Sequence, residues 1–146
     1  MSLIDTIRRV PRPVKKVIRE RKEITAGLFA YLGDKLETIN EIVMIGSGTS
    51  HTCSMTSHVF VEKASGISTT VILPNLFLEK SVYNPNALYI FTSQSGTSTL
   101  TQASQKKVNK MGYLNVAITE EPDSPLAKAS GCCILMEVDH EEYGCR

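Results

Sequence analysis

Two short polar loops carry the residues whose types and spacing could do chemistry. The first, Gly46–Ser50, is Gly-Ser-Gly-Thr-Ser, and the second, Ser93–Ser98, is Ser-Gln-Ser-Gly-Thr-Ser. Each loop follows a short apolar run and precedes a segment with helical spacing. Glycine lets the backbone approach a ligand closely, and free amides at the positive end of a helix dipole favour an anion. The loops therefore predict a phosphate site, and their Ser, Thr and Gln side chains favour a ligand that also carries hydroxyl groups.

The elements that must position these loops alternate between strand and helix after residue 41. Apolar, β-branched runs predict five strands, at 42–45, 69–73, 88–92, 114–119 and 132–138. Helical spacing predicts helices at 51–64, 75–81, 99–111 and 124–129. Short apolar strands with helical crossovers indicate a parallel sheet covered on both faces. Ligands bind such sheets beyond the carboxyl ends of the strands, where the strand order switches, so both loops are expected at that edge.

Spacing within these helices makes finer predictions. The helix at 99–111 is expected to bury one apolar face, formed by Leu100, Ala103, Val108 and Met111. Its lysines are expected in water, at Lys106, Lys107 and Lys110. A glycine follows three of the helices, where a left-handed cap favours glycine, at Gly66, Gly112 and Gly131.

A basic helical segment is predicted before the sheet. Pro11 and Pro13 interrupt residues 1–12, which predicts a loose start, and helical spacing then runs from about 14 to 39. Eight of the sixteen Lys and Arg residues fall within the first 22 positions. Because no aromatic residue interleaves with these charges, a solvated helical face is favoured over a nucleic-acid-binding arm.

Composition sets the remaining bounds. The 146 residues suffice for one domain, and a net charge of +1 gives no reason to invoke nucleic acid. The sequence contains no apolar run long enough to span a membrane and no signal-peptide pattern, so no membrane partner and a cytoplasmic location are expected. The four cysteines fit no metal-ligand spacing, so they are expected to be free, buried thiols: Cys53, Cys132, Cys133 and Cys145. Neither a metal ion nor a cofactor is expected. Adjacent Cys132 and Cys133 would point to opposite faces of a strand.

The loops resemble those of the sugar-isomerase (SIS) domain family, over roughly Glu41 to Arg146. Gly48-Thr49-Ser50 matches the first family loop, Ser93–Gly96 matches the signature Ser-Gln-Ser-Gly, and Glu142–Gly144 resembles a later Glu-x-Gly segment. Many members continue the signature with Glu-Thr, where this chain has Thr97-Ser98. The resemblance implies a three-layer, flavodoxin-like α/β fold with a five-stranded parallel sheet in the order 2-1-3-4-5. A helical segment at 1–40 would precede a single SIS domain at 41–146.

The resemblance also implies a ligand and its contacts. The ligand would be a hexose or amino-sugar 6-phosphate. Its phosphate would be held by Ser93, Gln94, Ser95 and Ser98, and the remainder of the substrate by Gly48, Thr49 and Ser50. The alternative role for these hydroxyls is helix N-capping and turn formation. The chain would form a homodimer or pair with a second SIS domain.

Catalysis needs a positioned acid or base, for which His51 and Glu142 are the main candidates. His58, expected in mid-helix, is interpreted as structural, and His140 and Glu141 are further local candidates. Two-domain members of the family take their catalytic groups from the second domain or a neighbouring subunit, and nothing here corresponds to those groups. The predicted function is therefore the phosphosugar-binding N-terminal half of an isomerase, deaminase or deglycase.

Two alternatives remain open. One is a non-catalytic module that senses a phosphosugar, although the first 40 residues show no clear helix-turn-helix for a DNA-binding regulator. The other is a nucleotide-binding domain, which is disfavoured because Gly46–Gly48 lacks the third glycine of that motif. In addition, no acidic residue follows the predicted second strand, where Leu73 is followed by Pro74-Asn75.

Overall fold

A five-stranded parallel sheet organises the residues that the computed structural model describes, 3–136. Its order is β2-β1-β3-β4-β5, which confirms the predicted α/β fold. The strands are β1 (Glu41–Gly46), β2 (Ser68–Ile72), β3 (Ala87–Thr92), β4 (Asn115–Thr119) and β5 (Cys132–Leu135). The last strand is expected from the sequence to continue to 138, but it ends at Leu135, before the described residue Met136, and residues 137 and 138 lie outside the described part.

Helices precede the sheet and connect its strands. They are α1 (Leu3–Arg9), α2 (Pro11–Leu32), α3 (Thr49–Ser65), α4 (Pro74–Glu79), α5 (Thr99–Met111) and α6 (Pro125–Ala129). A short 3-10 helix, Gly33–Thr38, joins α2 to β1. Within residues 3–136, no helix is both long and apolar enough to cross a membrane.

Alternating strand residues divide the core into two halves, one on each face of the sheet. One half contains Tyr89 and Phe91 of β3 together with Phe77 of α4. The other contains Leu88 of the same strand and packs against Leu32 of α2. The sheet is therefore the middle of three layers, and the basic N-terminal segment supplies part of one outer layer.

The predicted loose start is wrong for the described residues. α1 begins at Leu3, and α2 begins at Pro11 with Pro13 in its first turn. Proline is tolerated there because the first helical N–H groups have no intrahelical partner, so the missing donor costs nothing. α2 then runs through Gly27 and ends at Leu32, so the last part of the helical spacing expected to 39 is the 3-10 helix Gly33–Thr38.

The predicted apolar face of α5 is wrong in part. Leu100 is 48% exposed, whereas the fully buried positions include Thr101, Ser104 and Gln105. The buried polar groups meet carbonyls of neighbouring helices: the Ser104 hydroxyl donates to the Pro74 carbonyl at 3.2 Å, and the Gln105 amide donates to the Leu126 carbonyl at 2.9 Å. Hydrogen bonding thus removes the desolvation cost that hydropathy assigns to these side chains.

Lys107 also departs from the expected solvated face. Its ammonium donates to the Leu78 carbonyl at 2.9 Å and lies 4.8 Å from the centre of the Tyr83 ring. A long aliphatic stem allows lysine to cover apolar surface while its charge finds an acceptor and an aromatic face. Lys106 and Lys110 are exposed, as predicted.

The glycine predictions hold at two of three positions. Gly66 and Gly112 adopt left-handed conformations after α3 and α5, both at φ +71°. Gly131 is not a left-handed cap: its φ is not positive, and Ser130, which follows the last residue of α6, is extended. A side chain at Gly131 would instead collide with the ring of Tyr31, so glycine there lets α2 pack against the start of β5.

The described cysteines are free, and two of them behave as predicted. Cys132 and Cys133 contact opposite halves of the core, and burial raises the pKa of both thiols. Cys53 is exposed on α3, which corrects the expectation of burial, while Cys145 lies outside the described residues.

Phe77 anchors the core half beneath α4. Its ring is fully buried and packs edge-on against Tyr83, Tyr89 and Phe91. We expect Phe77→Ala to lower the free energy of unfolding by about 3–5 kcal/mol, because it leaves a cavity among aromatic rings. Phe29→Ala, at a position 63% exposed, is the matched control and is expected to change it by less than about 1 kcal/mol. Urea unfolding measures both, and similar losses would contradict this view of the core.

Candidate functional site

The register between β1 and β3 brings the two polar loops together. These strands are neighbours, and Gly46 at the end of β1 pairs with Thr92 at the end of β3. The residues that follow, Ser47 and Ser93, therefore leave the sheet side by side. A β-carbon at Gly46 would lie 3.1 Å from the Thr92 carbonyl oxygen, so glycine permits this close approach.

A cavity of about 200 Å³ lies between the loops, at the carboxyl edge of the sheet. Its walls are small and polar, and consist of Ser47, Gly48, Thr49, Ser50, Ser93, Gln94 and Ser95. The cavity lies where the strand order switches between β1 and β3, the location where such sheets bind ligands. Every lining residue is uncharged, so an anion held here would meet hydroxyls, amides and helix ends rather than a lysine or arginine.

The helices that follow the two loops begin without a side-chain cap. The first residues of α3 line the cavity, whereas α5 begins four residues after Ser95, the last lining residue of the second loop. Gly48 precedes α3 at φ +55°, and Ser98 precedes α5, and neither helix has a capping side-chain hydrogen bond. The first amides of a helix lack intrahelical acceptors and carry its partial positive charge. N-capping, the alternative role for the loop hydroxyls, is therefore not the role that they take at these two helices.

The carboxyl end of β4 fixes the second loop from behind. The carbonyl of Gln94 accepts hydrogen bonds from the Thr119 hydroxyl at 2.8 Å and from the Glu120 amide at 3.0 Å. The Ser93 amide donates to the Ile118 carbonyl at 3.1 Å. These bonds hold the loop backbone in place and leave the side chains of Ser93, Gln94 and Ser95 lining the cavity.

Gly96 seats the same loop against the start of α6. It has φ +63°, and an added β-carbon would collide with the side chain of Ser124. Ser124 in turn caps α6 by accepting from the Ala127 amide at 3.2 Å. The sequence analysis did not predict the supporting roles of Thr119 and Ser124. The available signals are weak: Thr119 is a hydroxyl residue at the end of a strand, and Ser124 is one directly before a helix that begins with proline.

The proposed phosphate ligands do not all occupy equivalent places. Ser93 is 7% exposed, so its hydroxyl lies deep in the site. Ser95 makes a local turn contact, 2.7 Å between its hydroxyl and that of Thr97, which shows that turn formation accounts for part of its chemistry. Ser98 is not among the lining residues, and its hydroxyl accepts from Thr101 at 3.0 Å.

Of the candidate acid and base residues, the structure describes two, His51 and His58. His51 lies in the first turn of α3, and its Nδ1 is buried without a partner among the described residues. The Nδ1–H of His58 donates to the Met55 carbonyl at 2.8 Å, a contact within α3 that suits the structural role expected of it. Glu142, His140 and Glu141 lie outside the described residues. Within 3–136, no group of three His, Cys, Asp or Glu side chains is placed to hold a metal ion.

A larger cavity, about 320 Å³, lies between α2 and β5. Its walls mix apolar and charged side chains, contributed by Lys16, Val17, Glu20, Glu23, Ile24, Cys133 and Leu135. No helix begins there, and two acidic side chains line it, so it lacks the convergent donors that an anion requires. We therefore assign the candidate site to the smaller cavity.

The fold, the paired loops and the matching family model together define the class of protein. The SIS domain model matches residues 35–145, starting slightly before the expected boundary at 41. The chain belongs to the SIS domain family.

The curated relatives of this chain are larger proteins. The chain is 31% identical over 108 residues to a glutamine–fructose-6-phosphate aminotransferase (isomerizing) from Shewanella oneidensis, a match that covers 73% of this chain and 18% of that protein. It is 24% identical over 143 residues to the protein of that name from Staphylococcus aureus strain Mu50, covering 95% of this chain and 24% of that one. The chain thus spans about a fifth to a quarter of these relatives.

Solved structures share the fold. A candidate phosphosugar isomerase from Clostridium difficile 630 matches all of this chain and 40% of its own, with a TM-score of 0.84 and 18% identity. The C-terminal domain of glucosamine-fructose-6-phosphate aminotransferase from Francisella tularensis matches 86% of this chain and 39% of its own, with a TM-score of 0.66 and 24% identity. Tagatose-6-phosphate ketose/aldose isomerase from Escherichia coli matches 86% and 36%, with a TM-score of 0.67 and 18% identity.

Substitution at Gly96 tests how tightly the second loop is seated. Both Gly96 and Gly112 have left-handed backbone conformations. The β-carbon of Gly96→Ala would overlap Ser124, whereas the β-carbon of Gly112→Ala would have no neighbouring atom within 4 Å. We expect Gly112→Ala to cost about 1–2 kcal/mol of stability and Gly96→Ala to cost a further 1–3 kcal/mol or so, because of the overlap with Ser124. Ser124→Gly is expected to recover part of the difference. Equal losses in urea unfolding would contradict the packing described.

Proposed function

We propose that this chain binds a sugar phosphate in the cavity between the Gly46–Ser50 and Ser93–Ser98 loops. One observation carries the proposal: two hydroxyl-rich loops meet at one neutral cavity, and the N terminus of α3, which no side chain caps, forms part of its wall. A phosphate group has several acceptor oxygens, which amides and hydroxyls satisfy at short range while the helix dipoles offset its charge.

The two loops are assigned different parts of the ligand. In our proposal Ser93, Gln94 and Ser95 bind the phosphate beside the N terminus of α5, where Ser98 supports the turn. Gly48, Thr49 and Ser50 then contact the sugar, because they line the opposite wall. The proposed domain division follows: an SIS unit at 41–146, with residues 1–40 as its helical lead-in.

The ligand class follows from relatives whose names specify hexose 6-phosphates. Fructose 6-phosphate appears in the aminotransferase names and tagatose 6-phosphate in that of the isomerase. We infer a hexose or amino-sugar 6-phosphate as the ligand of this chain. We also infer a cytoplasmic location, which suits the free thiols at Cys53, Cys132 and Cys133.

Binding is proposed to be separable from turnover. The residues that line the cavity are serine, threonine, glycine and glutamine, and none of these titrates near neutral pH. Aldose–ketose interconversion or amine release requires a group that moves a proton. His51 and Glu142 remain the candidates in this chain, and a companion SIS domain or a second subunit is the other proposed source.

Binding is tested by removing two hydroxyls from the second loop. Each charge-assisted hydrogen bond is worth about 1.5–3 kcal/mol, so Ser93→Ala/Ser95→Ala is expected to weaken the affinity for fructose 6-phosphate or glucosamine 6-phosphate by roughly 100-fold or more. Ser57→Ala/Ser81→Ala, which alters exposed serines outside the cavity, is the control. Calorimetric titration measures affinity, and equal values for the two double variants would remove the second loop from the site.

Turnover is tested with the same sugars in a coupled assay of the product. We expect each ligand to raise the melting temperature of the chain, with little interconversion or ammonia release, since binding to the folded state stabilises it whether or not chemistry follows. Rapid turnover that His51→Ala or Glu142→Gln abolishes would contradict this separation and assign the catalytic group to this chain.

Self-association is proposed to occur through α3. Its outward side exposes Met55, Val59 and Phe60, which are 49%, 51% and 75% exposed. From Thr49 to Val61 the helix contains no Lys, Arg, Asp or Glu, so two copies would meet without like-charge repulsion. A self-complementary apolar patch of this kind suits a two-fold dimer.

We expect the chain to sediment at micromolar concentration as a dimer of the 16.1 kDa chain. Val59→Glu/Phe60→Glu is expected to give a monomer, because two carboxylates would lose their hydration in the contact. Leu36→Glu, at another exposed apolar position, is the control and should leave the dimer intact. A monomeric wild-type chain would rule out this dimer.

A further inference from the structure

A second apolar surface runs along the N-terminal helices, away from the cavity and from α3. We call it the N-terminal seam, and it consists of Ile4, Ile7, Val10, Val14 and Ile18. Each of these residues is about half exposed, between 48% and 58%. Residues three or four positions apart share one face of a helix, and Val10, between α1 and α2, keeps a right-handed helical conformation, so the five residues follow one another along the same side of the two helices.

The sheet does not use this line. α2 packs on β5, and the residues that reach the core come from its second half, at Leu28, Tyr31 and Leu32. The seam lies mainly in α1 and the first half of α2, where Val14 and Ile18 keep about half of their surface in water. Burying such a row against another helix is the usual way in which an amphipathic face is stabilised.

One edge of the seam is uniformly basic. Three exposed basic residues recur at intervals of seven, at Arg8, Lys15 and Lys22. The first two directly follow the seam positions Ile7 and Val14. They occupy the flanking positions that select a partner by charge in helix-to-helix packing. Residues 3–23 contain eight Lys and Arg against three Asp and Glu, so the whole surface is positive.

Charge and shape decide among three kinds of occupant. If two copies of the seam packed antiparallel, their basic edges would face each other and repel. If they packed parallel, the basic edge of each copy would meet no acidic residue of the other. An anionic lipid surface favours helices with interfacial aromatic residues, and residues 3–23 contain none. A narrow seam with heptad-like spacing and one charged edge instead fits a helix of complementary charge.

We propose that the N-terminal seam docks an amphipathic helix of a partner protein, whose apolar positions contact Ile4, Ile7, Val14 and Ile18 and whose acidic residues face Arg8, Lys15 and Lys22. This contact is independent of the sugar-phosphate cavity. The seam is also separate from the neutral face of α3, which we propose for self-association.

The test uses the full 146-residue chain and two fluorescent three-heptad peptides. Both carry leucine at the apolar positions, one with glutamate and the other with lysine at the flanking positions. The glutamate peptide is expected to bind at least about tenfold more tightly by fluorescence anisotropy. Its affinity should fall as salt is raised, because exposed charges are screened.

Variants of the chain assign the binding to the seam. Lys15→Glu/Lys22→Glu is expected to reverse the preference between the peptides, and Ile7→Asp/Ile18→Asp to abolish binding of both. Lys106→Glu/Lys110→Glu makes the same charge change on the exposed side of α5 and is expected to alter neither. Circular dichroism and melting curves check that each variant is folded.

Four results would overturn the proposal. The first is equal affinity for the two peptides or no binding of either, and the second is a charge preference that Lys15→Glu/Lys22→Glu leaves unchanged. The third is tighter binding to vesicles of mixed phosphatidylglycerol and phosphatidylcholine, lost in Ile7→Asp/Ile18→Asp, which would assign the seam to a lipid surface. Loss of the dimer in that same variant would likewise assign it to a second copy.

Discussion

The pairing of β1 with β3 is the constraint on which the site depends. Parallel strands in this register end at the same level, with Gly46 opposite Thr92. Both segments then turn into helices beyond that edge of the sheet, and the loops that precede these helices line one cavity. A slip by one residue would reverse the facing of every side chain in β3 and would separate Ser93 from Ser47. The hydrophobic core therefore also fixes the geometry of a polar site.

The site relies on backbone rather than on charged side chains. Hydroxyls line the cavity, and bonds from Thr119 and Glu120 hold the carbonyl of Gln94 behind it. An anion in the cavity would be stabilised mainly by hydrogen bonds at short distance, so the positions of the donors matter more than the net charge of the protein. The positive charge of the molecule is concentrated instead on the N-terminal helices. Ligand binding and partner recognition can thus occupy different surfaces and respond differently to salt.

The sequence predicted the features that periodicity and glycine encode. The positions of the strands and of both loops and the caps at Gly66 and Gly112 follow from patterns that extend over a few residues, whereas the strand order was implied by the family resemblance. Prediction failed where a distant contact decides the outcome. The burial of Ser104 depends on a carbonyl 30 positions away, and glycine at 131 makes room for the ring of Tyr31. Hydropathy marks Ser104 as a residue for the surface, whereas its hydroxyl has a buried acceptor; at Gly131 no local pattern reveals the ring that fills the space.

Amide chemical shifts during titration with a hexose 6-phosphate test where the ligand binds. We expect the largest changes on the backbone amides of Ser93–Ser98 and Thr49–His51, and much smaller ones with the unphosphorylated sugar. Changes concentrated on residues between α2 and β5, where the larger cavity lies, would contradict the assignment of the site. So would equal responses to the sugar with and without its phosphate.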